Sequence, residues 1–271
     1  MLALVNTPNG KAPVEQRQVP EPVPRRHDAL VAVQAFSLNR GELRSFRNNE
    51  EGWIPGQDIS AIVLRQAADG SGPPTGAHIV ALMDEFGWAE RAAVPTQRIA
   101  ILPDTVGFAT AAALPVAGLT ALRTLRHGAL LLGKRVLITG AAGGVGHLAV
   151  QLAARSGAHV TAVAGRPERA AGLRELGASD VVIGIGQAQG RFGLILESAG
   201  GASLATALHA VDANGVVVSA IPQARRQASA LLISAAGKMR ACRVSSRSVR
   251  GRRSSLRRIL QCWCRWSRTS R

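Results

Sequence analysis

The stretch VLITGAAGGVG, residues 136–146, decides the fold of the second half of this 271-residue chain. It begins as a short apolar run rich in β-branched residues and then changes abruptly into a cluster of glycines. Beyond the glycines, apolar residues recur at the spacing of one helix face, at Val145, Leu148, Ala149 and Leu152. Together with Arg135, the stretch therefore predicts a strand over residues 135–139, then a tight turn and a helix over residues 145–155.

The same alternation continues on both sides of this stretch. The sequence predicts further strands at residues 159–164, 180–183, 192–196 and 215–219. It predicts helices at residues 167–176 and 202–211, and one helix or two at residues 108–126. Strands that alternate with helices form a parallel sheet with helices on both faces. We therefore expect an α/β domain over residues 108–223.

Residues 1–107 have a different pattern. Short β segments are predicted at residues 2–5, 29–35, 59–64, 78–82 and 89–94, and clusters of the turn-forming residues Pro and Gly separate them. This pattern predicts a compact, mostly β domain over residues 1–107.

The glycine turn has the composition of a dinucleotide site. Glycines let the backbone approach a pyrophosphate, and the N-terminus of the following helix supplies N–H donors and partial positive charge. Gly143, Gly144 and Gly146 lie between strand and helix, although Ala141 replaces the first glycine of the G-x-G-x-x-G pattern. The alternative is a simple turn, but the strand–turn–helix context favours a nucleotide.

The next strand indicates which nucleotide binds. Sites for NAD usually place Asp or Glu about 20 residues after the glycines, where the carboxylate accepts hydrogen bonds from the ribose. Here the strand ends in Ala164, Gly165 and Arg166, without an acid. Gly165 leaves space for a 2′-phosphate and Arg166 can pair with it, so the pattern favours NADPH. The alternative is that Arg166 is a solvated loop residue.

Several motifs follow one another in a characteristic order. They are SLNRGEL at residues 37–43, IPGQD at 54–58, LPVAGLTA at 114–121, the glycine stretch at 136–146 and ESAGG at 197–201. In this order and spacing, residues 1–222 resemble the medium-chain dehydrogenase/reductase superfamily, specifically its zinc-independent quinone oxidoreductase-like branch. The resemblance implies a GroES-like, mostly β domain followed by a Rossmann domain with a doubly wound parallel sheet.

The resemblance also implies where ligands bind. It places the substrate in a cleft between the two domains, with the nicotinamide near Asn39 and residues 116–120. Asn39 is the candidate catalytic residue, which donates to a substrate oxygen or orients the nicotinamide ribose, unless it is a turn residue that bonds its own backbone. Trp53 either lines the cleft or packs in the core or at the rim. The candidate cofactor-binding residues are Thr120, Ala142, Gly143, Gly144, Val145, Gly146, Gly165, Arg166, Ser198 and Ser219.

The sequence predicts that no metal is bound. The zinc-dependent relatives carry a Cys ligand and a Gly-His-Glu motif, where this chain reads Leu38-Asn39-Arg40 and Gly56-Gln57-Asp58. All three cysteines (Cys242, Cys262 and Cys264) lie near the C-terminus, and the six histidines have no metal-ligand spacing. Without a Lewis acid, hydride transfer to a conjugated carbonyl is favoured, because the charge spreads over an enolate that hydrogen bonds can stabilise.

The predicted activity is the NADPH-dependent reduction of a quinone or an α,β-unsaturated carbonyl, with water as the proton donor. The alternatives are an enoyl-thioester reductase, an inactive remnant and a nucleic-acid binder that uses a basic tail. The expected partner is a small molecule, with no specific nucleic acid and no membrane. Cysteine usage fits a cytoplasmic location. Members of the family often form homodimers, but the C-terminus argues against a dimer here.

That C-terminus, residues 224–271, is a basic tail. It holds 14 of the 33 Lys and Arg residues and no Asp or Glu, whereas the rest of the chain is nearly neutral. The whole chain contains 30 Arg and 3 Lys, as expected of a GC-rich gene. Out-of-frame reading of such a gene yields Arg, Ser, Cys and Trp, the residues enriched here. We predict that the tail is a non-native or disordered frameshift product, which leaves the Rossmann domain incomplete.

Overall fold

The computed structural model describes residues 1–220 and, beyond them, two strands, Ser229–Ser234 and Met239–Arg243. The described residues fall into two compact units, one comprising residues 1–119 and the other beginning at Thr120. The predicted limits of the β domain, the α/β domain and the tail stay predictions. In the part of the chain that the structure describes, no helix has the length and apolar character needed to cross a membrane.

The first unit is built from antiparallel β-structure. A two-stranded sheet pairs β1 (Leu2–Asn6) with β2 (Val14–Gln18). A second sheet consists of β3 (Asp28–Phe36), β4 (Asp58–Arg65), β5 (His78–Leu82), β6 (Arg91–Pro95) and β7 (Ile99–Ile101), in the order β6-β3-β4-β5-β7. The helices are α1 (Arg40–Ser45), α2 (Phe108–Ala112) and the start of α3 (Pro115–Arg126).

The strands of this unit follow from their apolar residues. Val31, Ile59 and Ile79, one on each of β3, β4 and β5, are fully buried in one core cluster. The five predicted strands are confirmed, with ends that lie within two residues of the expected positions. The sequence does not predict β2 and β7, because β2 is mostly polar and β7 has only three residues.

The second unit contains the predicted parallel sheet. Its strands β8 (Arg135–Thr139), β9 (His159–Ala164), β10 (Asp180–Ile183), β11 (Phe192–Glu197) and β12 (Val211–Ser219) are parallel and lie in the order β10-β9-β8-β11-β12. Beyond β12, β13 (Ser229–Ser234) and β14 (Met239–Arg243) add antiparallel strands that the sequence does not predict. The helices that follow β8 and β11 are α4 (Gly144–Arg155) and α5 (Ala202–Ala210).

Helices α4 and α5 lie on opposite faces of this sheet. Ala149 of α4 packs in one core cluster with Val136 of β8, whereas Ala207 of α5 packs in another with Leu137. Because neighbouring residues of a strand point to opposite faces, the two helices cover opposite sides. The predicted α/β architecture is therefore confirmed. The strand order reverses between β8 and β11, the switch point at which such sheets bind ligands.

The helix predicted over residues 167–176 is wrong. The chain forms a single 3-10 turn, Pro167–Arg169, and further turns up to Gly177. Gly172 adopts φ +79°, a left-handed conformation in which a right-handed helix cannot continue. Leu173 is nevertheless fully buried, so the apolar spacing that suggests a helix reflects the packing of these turns.

The backbone approaches itself most closely between the end of β8 and the start of α4. Gly140 turns the chain with φ +60°. A Cβ atom at Gly146 would overlap the carbonyl oxygen of Gly140 and lie 2.7 Å from the Cα of Ala141. One glycine is therefore needed for its conformation and the other for space.

We expect Gly146→Ala to lower the free energy of unfolding by about 1–3 kcal/mol, because the added methyl group overpacks the contact with Gly140. Gly186→Ala is the matched control, since a Cβ atom at Gly186 meets open space. Urea unfolding measures the free energy of unfolding of both variants and of wild type. Wild-type stability in Gly146→Ala would contradict the proposed contact.

Candidate functional site

The turn between β8 and α4 presents a row of backbone donors. The first bond at the start of α4 joins the His147 N–H to the Gly143 carbonyl oxygen at 2.8 Å. The N–H groups of Gly144, Val145 and Gly146 belong to the first turn and have no acceptor within the helix. These donors and the positive end of the helix dipole fit a pyrophosphate.

The structure explains the incomplete glycine pattern. Ala141 is fully buried, and its N–H donates to the Val163 carbonyl oxygen at 3.1 Å, which joins the loop to β9. The left-handed conformation lies one residue earlier, at Gly140. An alanine at position 141 is therefore compatible with the turn.

The end of β9 presents an open position and two arginines. A Cβ atom at Gly165 would have no neighbour within 4 Å, and Arg166 is exposed. The guanidinium of Arg169 donates to the carbonyl oxygen of Ala142 in the glycine loop at 3.2 Å. Arg169 is not predicted from the sequence, because only the 3-10 turn after β9 brings it to the loop. Positive charge thus lies beside the glycine loop.

A buried carboxylate fixes the end of β11. Glu197 is fully buried and accepts hydrogen bonds from the Thr139 hydroxyl at 3.2 Å and from the Ala199 N–H at 2.9 Å. It also accepts the Gly200 N–H at 3.0 Å. Ser198 donates its hydroxyl to the Thr139 carbonyl oxygen at 2.9 Å and its N–H to the Thr139 hydroxyl at 2.8 Å. Glu197 is not predicted from the sequence as a site residue, although it accepts a hydrogen bond from the Thr139 hydroxyl that in turn accepts the Ser198 N–H.

The sheet register aligns the remaining candidates. Thr139 is level with Val163 of β9, and Glu197 is level with Ser219 of β12. The structure therefore places the glycine loop, Gly165, Arg166, Ser198 and Ser219 along one edge of the sheet. Thr120 lies on α3, where its carbonyl oxygen accepts the Thr124 hydroxyl at 2.9 Å. No described hydrogen bond connects Thr120 to the glycine loop.

In the first unit, Asn39 is held by two buried carboxylates. Its side-chain nitrogen donates to Asp58 at 3.0 Å, and its backbone N–H donates to Glu42 at 2.7 Å. Asp58 also accepts the Ser37 hydroxyl at 2.8 Å and the N–H of Val116, in the first turn of α3, at 2.9 Å. The orientation of Asn39 therefore depends on Asp58, to which the sequence alone assigns no role.

Burial determines the titration of both carboxyl groups. It raises the pKa of Asp58, although hydrogen bonds from Asn39, Ser37 and Val116 act in the opposite direction. Burial also raises the pKa of Glu42, and the nearby charge of Asp58 adds to this rise.

Zinc does not fit the described residues. The position of the family's His ligand is Gln57, and its N–H donates to Glu42 at 2.9 Å. Among residues 1–220, no group of three or more His, Cys, Asp or Glu residues is arranged to hold a metal ion. The prediction that the protein needs no metal stays a prediction.

The chain is similar to known oxidoreductases. Residues 144–227 match the family model described as "Zinc-binding dehydrogenase". The chain is 38% identical over 189 residues to the chloroplast envelope quinone oxidoreductase homolog of Arabidopsis thaliana. The match covers 64% of this chain and 57% of that protein, so the chain spans little more than half the length of this relative.

Two solved structures share most of the fold. The quinone oxidoreductase from Thermus thermophilus, also solved as its complex with NADPH, is 30% identical with a TM-score of 0.72. The alignment covers 83% of this chain and 76% of that chain. The quinone oxidoreductase from Coxiella burnetii is 26% identical with a TM-score of 0.75 and has the same coverage, 83% and 76%.

The raised pKa of Asp58 has a consequence for stability. The folded chain binds the Asp58 proton more tightly than the unfolded chain does. The protonated carboxyl therefore contributes its full stabilisation below 3.8, the ordinary pKa of Asp, and this stabilisation is lost as the pH rises through the pKa of the folded state. The free energy of unfolding, measured with urea between about pH 4 and pH 7, should therefore fall in wild type relative to Asp58→Asn as the pH rises. The exposed Asp104→Asn is the control and should show no such shift. A shift of opposite sign for Asp58→Asn would overturn the assignment.

Proposed function

Since the chain belongs to the quinone oxidoreductase-like branch of the medium-chain dehydrogenase/reductase superfamily, we propose that it reduces a quinone or an α,β-unsaturated carbonyl with NADPH. The observation that carries the proposal is the edge of the parallel sheet. There a glycine turn with free first-turn donors lies beside an open Gly165 and beside Arg166, with no acidic residue at positions 164–166 where β9 ends. The Thermus thermophilus relative and its NADPH complex support the choice of cofactor.

The residues of the second unit bind and orient the cofactor in this proposal. NADPH, when bound, supplies the hydride. The free N–H groups of Gly144, Val145 and Gly146 bind its pyrophosphate, and Ala142 and Gly143 complete the loop that approaches it. Arg166 pairs with the 2′-phosphate over Gly165, where a carboxylate would repel that group. Ser198, Ser219 and Thr120 complete the proposed binding residues.

Asn39 is the proposed catalytic residue of the first unit. One N–H of its carboxamide donates to Asp58, and the same nitrogen has a second N–H for the substrate oxygen. This donor stabilises the negative charge that develops on the oxygen when a hydride reaches the conjugated carbon. Water is the proposed proton donor, and a tyrosine cannot take this role because the chain contains none. Asp58 and Ser37 act as positioning residues.

The other expectations remain open alternatives. No observation on the described residues favours the enoyl-thioester reductase, the inactive remnant or the nucleic-acid binder. Most of the basic tail, residues 224–228, 235–238 and 244–271, lies outside the described residues. Its frameshift origin, the absence of a homodimer and the cytoplasmic location all stay predictions.

The activity is tested with the purified full chain and NADPH. We expect oxidation of NADPH when 1,4-naphthoquinone is added and none with crotonyl-CoA, an enoyl thioester. A chelator should not change the rate, because the described residues offer no zinc ligand set. Turnover of crotonyl-CoA alone would support the thioester alternative, and turnover of neither substrate would support the inactive remnant.

Cofactor choice is tested by titrating NADPH and NADH and following binding by fluorescence. Wild type should bind NADPH more tightly, and Arg166→Ala should weaken NADPH binding by roughly 1.5–3 kcal/mol while leaving NADH binding nearly unchanged. Arg65→Ala, an exposed arginine of the first unit, is the control and should change neither affinity. Equal affinities of wild type for both cofactors would contradict the role of Arg166.

A further inference from the structure

Phe86 has an unusual backbone conformation. Its φ is +67°, in the left-handed region that side chains with a Cβ atom rarely adopt. Two other non-glycine residues of the described chain have positive φ, Ala129 at +54° and Asn214 at +64°. Asn enters this region readily and Ala is small, so Phe86 is the residue that carries a large side chain at a cost in free energy.

The neighbouring loops hold Phe86 in this conformation. Its N–H donates to the Ile54 carbonyl oxygen at 3.0 Å, and the Gly87 N–H donates to the Gly56 carbonyl oxygen at 3.1 Å. Gly56 has φ +116°, and a Cβ atom there would lie 2.6 Å from the Cα of Gly87. Two loops are therefore joined too closely for the backbone at Phe86 to relax.

A side-chain bond strengthens the same pair of loops. The indole N–H of Trp53 donates to the carboxylate of Glu85, next to Phe86, at 2.7 Å. The residue that follows, Gly87, is buried, whereas Phe86 is 49% exposed. The strain therefore keeps an apolar ring in solvent, which the hydrophobic effect alone opposes.

These loops adjoin the residues that hold Asn39. The Met83 N–H donates to the Gln57 carbonyl oxygen at 2.6 Å, and the Gln57 N–H donates to Glu42, the carboxylate that accepts the Asn39 N–H. Phe86 is three residues from Met83 in the same loop. The loop that carries Phe86 is thus hydrogen-bonded to the segment that holds the proposed catalytic residue.

We propose that Phe86 is a specificity-determining residue that stacks on the planar ring of a quinone substrate. The assignment rests on the proposed function. A flat apolar ring gains stacking energy from a second planar ring and little from an acyclic enone, so Phe86 favours cyclic, conjugated substrates. The strained backbone is the cost of exposing that ring.

The test compares Phe86→Gly and Phe86→Asn with wild type, because Gly and Asn both accept a left-handed conformation without offering a ring. Ala129→Gly is the matched control, since it relieves a positive φ in the other unit and removes no aromatic group. Calorimetry measures binding of 1,4-naphthoquinone and of the acyclic enone 3-penten-2-one to the full chain loaded with NADP⁺, the oxidised cofactor, which cannot reduce either ligand. Thermal unfolding measures stability.

We expect Phe86→Gly to raise the unfolding temperature by about 2–4 °C and to weaken naphthoquinone binding roughly three- to tenfold, with pentenone binding unchanged. Phe86→Asn should weaken naphthoquinone binding equally, and Ala129→Gly should alter stability only. Unchanged naphthoquinone binding in both Phe86 variants, or equal losses for both ligands, would overturn the role of Phe86 and leave the proposed function standing. A wild-type chain that binds neither ligand would overturn both.

Discussion

The close approach of α4 to the end of β8 is the constraint on which the second unit depends. Gly146 packs directly on the Gly140 carbonyl group, so the first turn of α4 begins immediately beyond the sheet. Its unpaired N–H groups therefore point into the edge where the parallel strands end. Ser198 and Arg169 make hydrogen bonds to this same region of the loop, and their positions follow from it.

Buried carboxylates perform the same task in both units. Glu197 and Asp58 each accept three or more hydrogen bonds. Asp58 bonds Asn39 directly, and Glu197 bonds the Thr139 hydroxyl that accepts the Ser198 N–H. Burying a charge is costly unless such donors compensate it, so the donors and the carboxylate must be placed together. This requirement makes the positions of Ser198 and Asn39 cooperative properties of the fold.

The strained loop at Phe86 shows a different use of the same principle. Its hydrogen bonds to the loop of Ile54 stabilise a conformation that the residue alone would avoid. The left-handed conformation of Phe86 lowers stability, and the hydrogen bonds around it compensate for this loss. Strain of this kind is common at ligand-binding sites.

The sequence by itself determines the strands β8, β9 and β10, whose bounds agree with prediction, because each is a short apolar run with turn residues on both sides. It also determines the glycine turn, since only glycines permit that approach of backbones. It misjudges residues 167–176, where the left-handed Gly172 outweighs the apolar spacing. Tertiary structure alone decided the partners of Asn39 and Thr139, which bond carboxylates 19 and 58 residues away. Such bonds depend on how strands align in space, and no local pattern of residues encodes that alignment.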